Sequence, residues 1–452
     1  MKEILIFLRD ILSQPAILLG IVSFVGLTAL RKPRHKILIG TLGPILGYIM
    51  LGVGAEFIVM NLEPLGKMIE KGFNIKGVVP NNEAVVAAAQ NLLGKETMLI
   101  LVVGLFINLM VAKFTKYKYI FLTGHHSFYM ACLLSAVLGA MGFSNILLIF
   151  IGGFFLGTWS AISPAIGQKY TLKVTDGEEI AMGHFGSLGY YISAWIGKKV
   201  GDVENTTENM KIPEKWGFLR NTTIATAITM TMFYLIAGIV AGNTYVETLS
   251  NGISPYLYLI MLGLKFSVGV AIVYNGVRMI LADLIPAFQG IATKIIPDSI
   301  PAVDCAVFFT FAQTAVIIGF IFSFIGGIVG MLILGISGGI LIIPGLVPHF
   351  FCGATAGIYG NSTGGKRGAV IGSFVNGLLL SFLPAALLPV LGKLGFVNTT
   401  FGDVDFTLIG ILLGMVNSFS GHSGIYLIMI IITIVLIIPN FLKIKSKVIN
   451  NS

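Results

Sequence analysis

The chain has 452 residues, 56% hydrophobic and only 11% charged, with a mean hydropathy of +0.92. A soluble protein of this length needs far more charge to hydrate its surface, and the short alternating strands of a membrane β-barrel are missing from the pattern. The formal charge of +9 sits in loops between apolar runs, which is the positive-inside distribution of a polytopic membrane protein, so no nucleic-acid partner is expected.

In chain order, residues 1–14 mix Lys2, Glu3, Arg9 and Asp10 with Ile, Leu and Phe. They read as an amphipathic interfacial helix, since no small-residue cleavage site follows a basic start. Apolar runs then predict about eleven transmembrane helices, near 16–30, 37–58, 97–112, 119–141, 145–161, 221–241, 254–276, 303–333, 338–358, 368–391 and 424–441. The basic clusters are Arg31-Lys32-Arg34-Lys36, Lys113-Lys116-Lys118, Lys169 through Arg220, Arg278, Lys366-Arg367 and Lys443-Lys445-Lys447. All are cytoplasmic if the N-terminus lies outside and the C-terminus inside. Only the 162–220 loop and a short basic tail remain outside the spans. The lysines of that loop (Lys198, Lys199, Lys211, Lys215) fit either plain topology statistics or a docking face for an acidic cytosolic partner.

The two halves resemble each other at an offset near 221. Gly54 and Asn61-Leu62-Glu63-Pro64 match Gly276 and Asp283-Leu284-Ile285-Pro286 (276 − 54 = 222), and the Pro80–Ala84 stretch matches Pro301–Cys305 (304 − 83 = 221). His126 matches His349 (349 − 126 = 223), and Gly152–Gly157 with Ser163-Pro164-Ala165 matches Gly372–Gly377 with Leu383-Pro384-Ala385 (372 − 152 = 220). Five crossings per copy turn the second copy upside down, the architecture of alternating-access transporters. The expected fold class is an all-α polytopic membrane protein: two inverted repeats of five helices, with re-entrant hairpins, plus a C-terminal helix. The divisions fall at 1–220, 221–400 and 401–452.

Two stretches, 61–96 and 283–304, are too polar for plain spans and too apolar for plain loops. Their prolines (Pro64, Pro80; Pro286, Pro297, Pro301) mark broken-helix hairpins, which survive at membrane depth only when buried in protein or lining a wet cavity. Glu83 and Asp304 sit at equivalent tips. An ionisable group at membrane depth costs at least about 2.5–3.5 kcal/mol and is a functional-site candidate by default. A helix N-cap is the competing reading of Asp304, and an outer loop that of Glu83. His125 and His126, His184 and His349 are the second signal, because a neutral imidazole offers one donor and one acceptor to a polyhydroxylated or enediol ligand. His422 is the weakest of the set. The site is expected to lean on the first half's histidines and the second half's aspartate, since His125 and His184 have no polar counterparts in the other copy.

The histidines and cysteines have no metal-ligand spacing, Cys132, Cys305 and Cys352 read as buried small hydrophobes, and no Gly-x₄-Gly-Lys-Ser/Thr loop exists for ATP. No cofactor, metal or catalytic residue is expected.

Several motifs, taken in order, resemble the ascorbate-specific IIC permease family of the bacterial phosphoenolpyruvate-dependent phosphotransferase system. They are Thr123-Gly124-His125, Thr175-Asp176-Gly177 with Gly183-His184, Gly276-Val277-Arg278-Met279, Ala302-Val303-Asp304-Cys305-Ala306 and Ile342-Ile343-Pro344-Gly345. The resemblance covers nearly the whole chain. It implies an eleven-helix homodimer in the bacterial cytoplasmic membrane, with a substrate-carrying core and a dimerising scaffold. It further implies L-ascorbate transport coupled to phosphorylation by a separate IIB protein bearing a phosphocysteine, alongside a IIA component. The permease itself carries no phosphoryl group. The family's ligand positions fall at Gly54-Ala55, Asn82-Glu83, His125, His184, Asp304 and Ala354-Thr355. Tyr129 stands where the family has Gln, and Asn82-Glu83 where it has Thr-Tyr, which widens the expected substrate to a related sugar acid or polyol. The alternative is a proton- or sodium-coupled secondary transporter with Asp304 and Glu83 as ion sites.

Overall fold

The computed structural model describes residues 11, 14–73, 78–80, 82–210, 222–294, 296, 298–391 and 399–449; the interfacial segment expected over 1–14 lies almost wholly outside them. The helices are α1 (Pro15–Ala29), α2 (Arg34–Phe73), α3 (Asn82–Phe114), α4 (Gly124–Ala140), α5 (Asn145–Val174), α6 (Ser187–Val200), α7 (Thr222–Ala241), α8 (Asn243–Ser250), α9 (Pro255–Lys294), α10 (Gln313–Ile336), α11 (Ala354–Leu391) and α12 (Val404–Ile449). Among the described residues five short strands lie between them: β1 (Val79–Pro80), β2 (Tyr119–Phe121), β3 (Ala181–Met182), β4 (Ile300–Val303) and β5 (Thr399–Thr400).

Two bodies follow from which helices touch. Helices α1, α2, α7 and α9 pack on one another, while α3 to α6 and α10 to α12 form the second group. In the first body α2 and α9 run in opposite directions, Ile58 meeting Gly269 while Gly40 and Gly43 meet Asp283. Pro44 inside α2 has no N–H to give the Gly40 carbonyl, and the Ser23 hydroxyl of α1 donates to that carbonyl instead, at 2.5 Å. Between α7 and α8 the chain turns through 118° at Gly242, whose φ of +90° suits a residue without a Cβ.

The strands do in the membrane body what helices do elsewhere: they satisfy backbone groups that water cannot reach. β4 lies between β2 and β3, both parallel to it, with Phe121 and Ala181 opposite Ala302. β1 pairs in parallel with β5, and Val78 bridges to Ile342. Gly183 is held tightly here, because a Cβ would fall 2.3 Å from the Ala302 carbonyl oxygen.

Six described helical stretches are long and apolar enough to cross a membrane, or seven if the bent α7–α8 pair is one span, so the chain is a mostly helical, multi-pass membrane protein. The expected eleven runs include others that fall below this length or apolarity among the described residues, such as Leu99–Phe114. α1 and α4 have 15 and 17 residues, below the roughly 20 of an average span. The run 338–358 is not one helix either, since Ile342 lies in a bridge and His349–Gly353 forms a π-turn before α11. The hairpin expected over 61–96 begins as a continuation of α2 to Phe73, and that over 283–304 as a continuation of α9 to Lys294, each followed by an extended strand.

The stretch expected as the 162–220 loop is different in kind. α5 continues to Val174, and α6 is a half-buried helix set against α11. Its hydropathy is low because it packs through small residues: Gly189, Ser193 and Gly197 recur every fourth position, and such stripes let backbones close up. Ser193 Oγ donates to the Ala356 carbonyl at 2.6 Å, and Thr363 Oγ1 to the Ala194 carbonyl at 2.7 Å. A Cβ on Gly197 would lie 2.6 Å from both the Gly360 carbonyl oxygen and Thr363 Oγ1. Gly197→Val is expected to destabilise the protein by about 3 kcal/mol through overpacking, seen as a lower melting temperature in detergent. Gly66→Ala, which meets nothing within 4 Å, serves as the matched control and should leave the melt unchanged.

Candidate substrate site

Three separate segments deliver the side chains. Asp304 follows β4 and caps the 3-10 turn Cys305–Thr310, its Oδ1 accepting from the Ala306 N–H at 3.3 Å. Its other oxygen, Oδ2, faces His125 Nε2 at 3.4 Å. One oxygen of Asp304 thus caps the turn, and the other faces His125. His125 opens α4 and remains 30% exposed, with Asp304 at 14%, so a small ligand has access to both.

His184 lies just past β3, in the turn that leads into α6. The Gly186 N–H donates to its Nδ1 at 3.1 Å, and the Tyr190 hydroxyl sits 2.8 Å from the same atom. A neutral imidazole has a single lone pair, so Nδ1 is the acceptor and Nε2 carries the hydrogen. His126 follows the same logic, its Nδ1 accepting from the Phe185 N–H at 3.2 Å, while its ring stacks on Phe406 and lies 3.7 Å from that of His184. It is buried behind His125 as a support.

The other expected residues are distributed as follows. Asn82 is buried and engaged at both ends, its Oδ1 accepting from the Gly402 N–H at 2.9 Å and its Nδ2 donating to Asp403 Oδ2 at 3.3 Å. The side chains of Glu83 and Ala55 lie outside the described residues, though both positions are helical. Gly54 is buried at the α2–α9 crossing, its carbonyl close to Gly269. Tyr129 is one turn after His125, the rings 5.8 Å apart and edge-on. Thr355 is fully buried and donates to the Phe351 carbonyl at 2.7 Å. His349 bonds Ser323 through Nδ1 at 2.9 Å, and His422 bonds the Met141 carbonyl at 2.9 Å beside Phe143; neither joins the His125–Asp304 group.

Three residues of the site region were not singled out in the sequence. Tyr48 of α2 places its hydroxyl 2.9 Å from His125 Nδ1. Asp403 lies 3.9 Å from His126 Nδ1. Asp405 is fully buried and grips the start of α6: its Oδ1 accepts from the Leu188 N–H at 2.9 Å, and its Oδ2 from Ser187 Oγ at 2.8 Å and Trp159 Nε1 at 3.2 Å. Its own N–H donates to the Phe185 carbonyl at 2.9 Å. The rule that flags any carboxylate at membrane depth would have found both aspartates, which stand two positions apart ahead of an apolar run.

His126, His184 and Asp403, and likewise His184, Asp304 and Cys305, bring potential ligand atoms within 4.8 Å of one another. The Nδ1 lone pairs of both histidines already accept backbone N–H groups, and their Nε2 atoms bear hydrogens. Neither set has the free imidazole lone pairs a metal requires. What the site can do is hydrogen-bond a polar ligand, with the imidazole N–H groups as donors and Asp304 Oδ2 as acceptor.

The sequence matches the family model described as PTS system sugar-specific permease component over residues 10–405. It is also similar to the ascorbate-specific PTS system EIIC component of Mycoplasma pneumoniae, 26% identical over 424 residues, with 81% of this chain and 64% of that protein covered. The chain thus spans a little under two thirds of the length of that relative. With a match over most of its length, on a helical membrane fold, the chain belongs to the sugar-specific permease component family of the PTS.

Proposed function

We propose that this chain is a IIC permease that carries L-ascorbate, or a closely related sugar acid or polyol, across the bacterial cytoplasmic membrane by alternating access. The substrate would be phosphorylated on arrival by a separate IIB protein, itself supplied by IIA. The observation that carries this reading is the convergence of His125, His184 and Asp304 from three segments, two N–H donors opposite one carboxylate oxygen. Vicinal hydroxyls, which both donate and accept, complement that set. The Asp304 oxygen must receive an O–H, so the ligand turns hydroxyls toward it and any ionised oxygen toward the histidines. The named relative's ascorbate specificity points to the same ligand.

The architecture proposed is two inverted copies, divided at 1–220, 221–400 and 401–452, with eleven crossings, the N-terminus outside and the protein a homodimer. Supporting it, α2 and α9 are both 40 residues long and begin 221 residues apart (255 − 34 = 221). The strand after each pairs with strands of the other half: β1 with β5, β4 with β2 and β3.

Uptake of labelled L-ascorbate into membrane vesicles tests the coupling. Uptake should require phosphoenolpyruvate and the cytosolic carriers and should yield phosphorylated product inside. Accumulation of unmodified substrate, collapsed by a protonophore, would instead establish the ion-coupled alternative.

A further inference from the structure

Tyr48 belongs to the body built from α1, α2, α7 and α9, whereas His125 and His184 lie among the elements of the other, and Asp304 follows β4, which pairs with β2 and β3 beside those histidines. Aromatic contacts such as Phe266 with Phe350 and Phe233 with Phe324 join the two bodies. Against that apolar seam Tyr48 makes a polar contact with a site residue, 2.9 Å from its hydroxyl to His125 Nδ1, the rings 6.3 Å apart and tilted at 51°. The hydroxyl is the donor that fits. His125 Nε2 faces the Asp304 carboxylate and must carry a hydrogen to be favourable there, which leaves Nδ1 of the neutral ring as an acceptor.

We propose that Tyr48 is a positioning residue of the substrate site: reaching across from the opposite body, its hydroxyl holds His125 in the tautomer and orientation that present Nε2–H to Asp304 and the ligand. This inference rests on the reading of His125 and Asp304 as ligand residues. Its consequence is a link between binding and motion. His125 is fully set only while Tyr48 of α2 reaches it, so a displacement of the bodies that breaks this contact loosens the site's grip on its cargo. A small, reversible hydrogen bond suits that task better than an ion pair, since its loss costs little enough to permit repeated cycling.

The test is a double-mutant cycle on the full-length protein in lipid nanodiscs, read by equilibrium binding of radiolabelled L-ascorbate. Tyr48→Phe keeps the ring and its packing, so the melting temperature should stay at the wild-type value. Its affinity should fall about five- to tenfold. His125→Gln retains an N–H near the Nε2 position but has no acceptor at Nδ1; in that background, adding Tyr48→Phe should cause no further loss. A merely structural tyrosine would instead give additive losses. Wild-type affinity in Tyr48→Phe, together with lost binding in His125→Ala, overturns this inference and leaves the site standing. Wild-type affinity in His125→Ala overturns the site reading itself, and absence of binding by the unmutated protein overturns the ascorbate reading, in each case taking this inference with it.

Discussion

Asp304→Asn is expected to weaken substrate binding about a hundredfold while leaving the protein folded. The substitution is chosen because the two oxygens of Asp304 have different partners, Ala306 N–H and His125. Asparagine is as good an N-cap as aspartate, so its amide oxygen can go on accepting from Ala306 and preserve the 3-10 turn. The site oxygen becomes an NH₂, which cannot accept from a ligand hydroxyl and faces the N–H of His125. Removing one partner of a buried, charge-assisted hydrogen bond costs about 3 kcal/mol, and about 1.4 kcal/mol corresponds to a factor of ten in affinity. Isothermal titration of the purified variant, with its melting curve as control, reads both quantities. Undiminished affinity would show that Asp304 only caps.

Asp405→Ala is expected to destabilise the protein by about 4 kcal/mol, the largest stability effect foreseen here. The carboxylate takes hydrogen bonds from Leu188, Ser187 and Trp159, joining the N-terminus of α6 to α5 and α12. It acts as an N-cap supplied from another element, and negative charge at a helix start is favourable in its own right. Alanine leaves a buried backbone N–H and an indole N–H without an acceptor in a region water does not reach. The damage should also reach function, since His184 lies three residues before Ser187 and its ring is held by Gly186 and Tyr190. Thermal unfolding followed by size-exclusion chromatography measures the first effect. Asp405→Asn, which keeps an acceptor for Leu188, should lose roughly half as much.

The membrane class was legible in composition, because a surface this poor in charge has no other solvent. His125, His184 and Asp304 stand out in the sequence because polar groups in apolar surroundings are costly, and the structure sets His125 against Asp304. What escaped notice escaped for identifiable reasons. Helix α6 was read as loop because Gly189, Ser193 and Gly197 carry little hydropathy, although their four-residue spacing is the signature of close helix packing. The parallel pairing of β4 with β2 and β3 joins residues more than a hundred positions apart, and two- to four-residue strands have no period to detect. Tyr48 is one aromatic among many in an apolar helix until the fold brings its hydroxyl to His125. Asn82, a ligand position by resemblance, has its amide hydrogen-bonded to Gly402 and Asp403 ahead of α12, partners more than three hundred positions away that no local pattern announces.

The most direct measurement is an experimental structure of the full chain with L-ascorbate bound. The account predicts ligand density between His125 and Asp304, within hydrogen-bonding distance of the imidazole N–H groups of His125 and His184 and of Asp304 Oδ2. Density at another position in the protein, with those three side chains untouched by ligand, would contradict it.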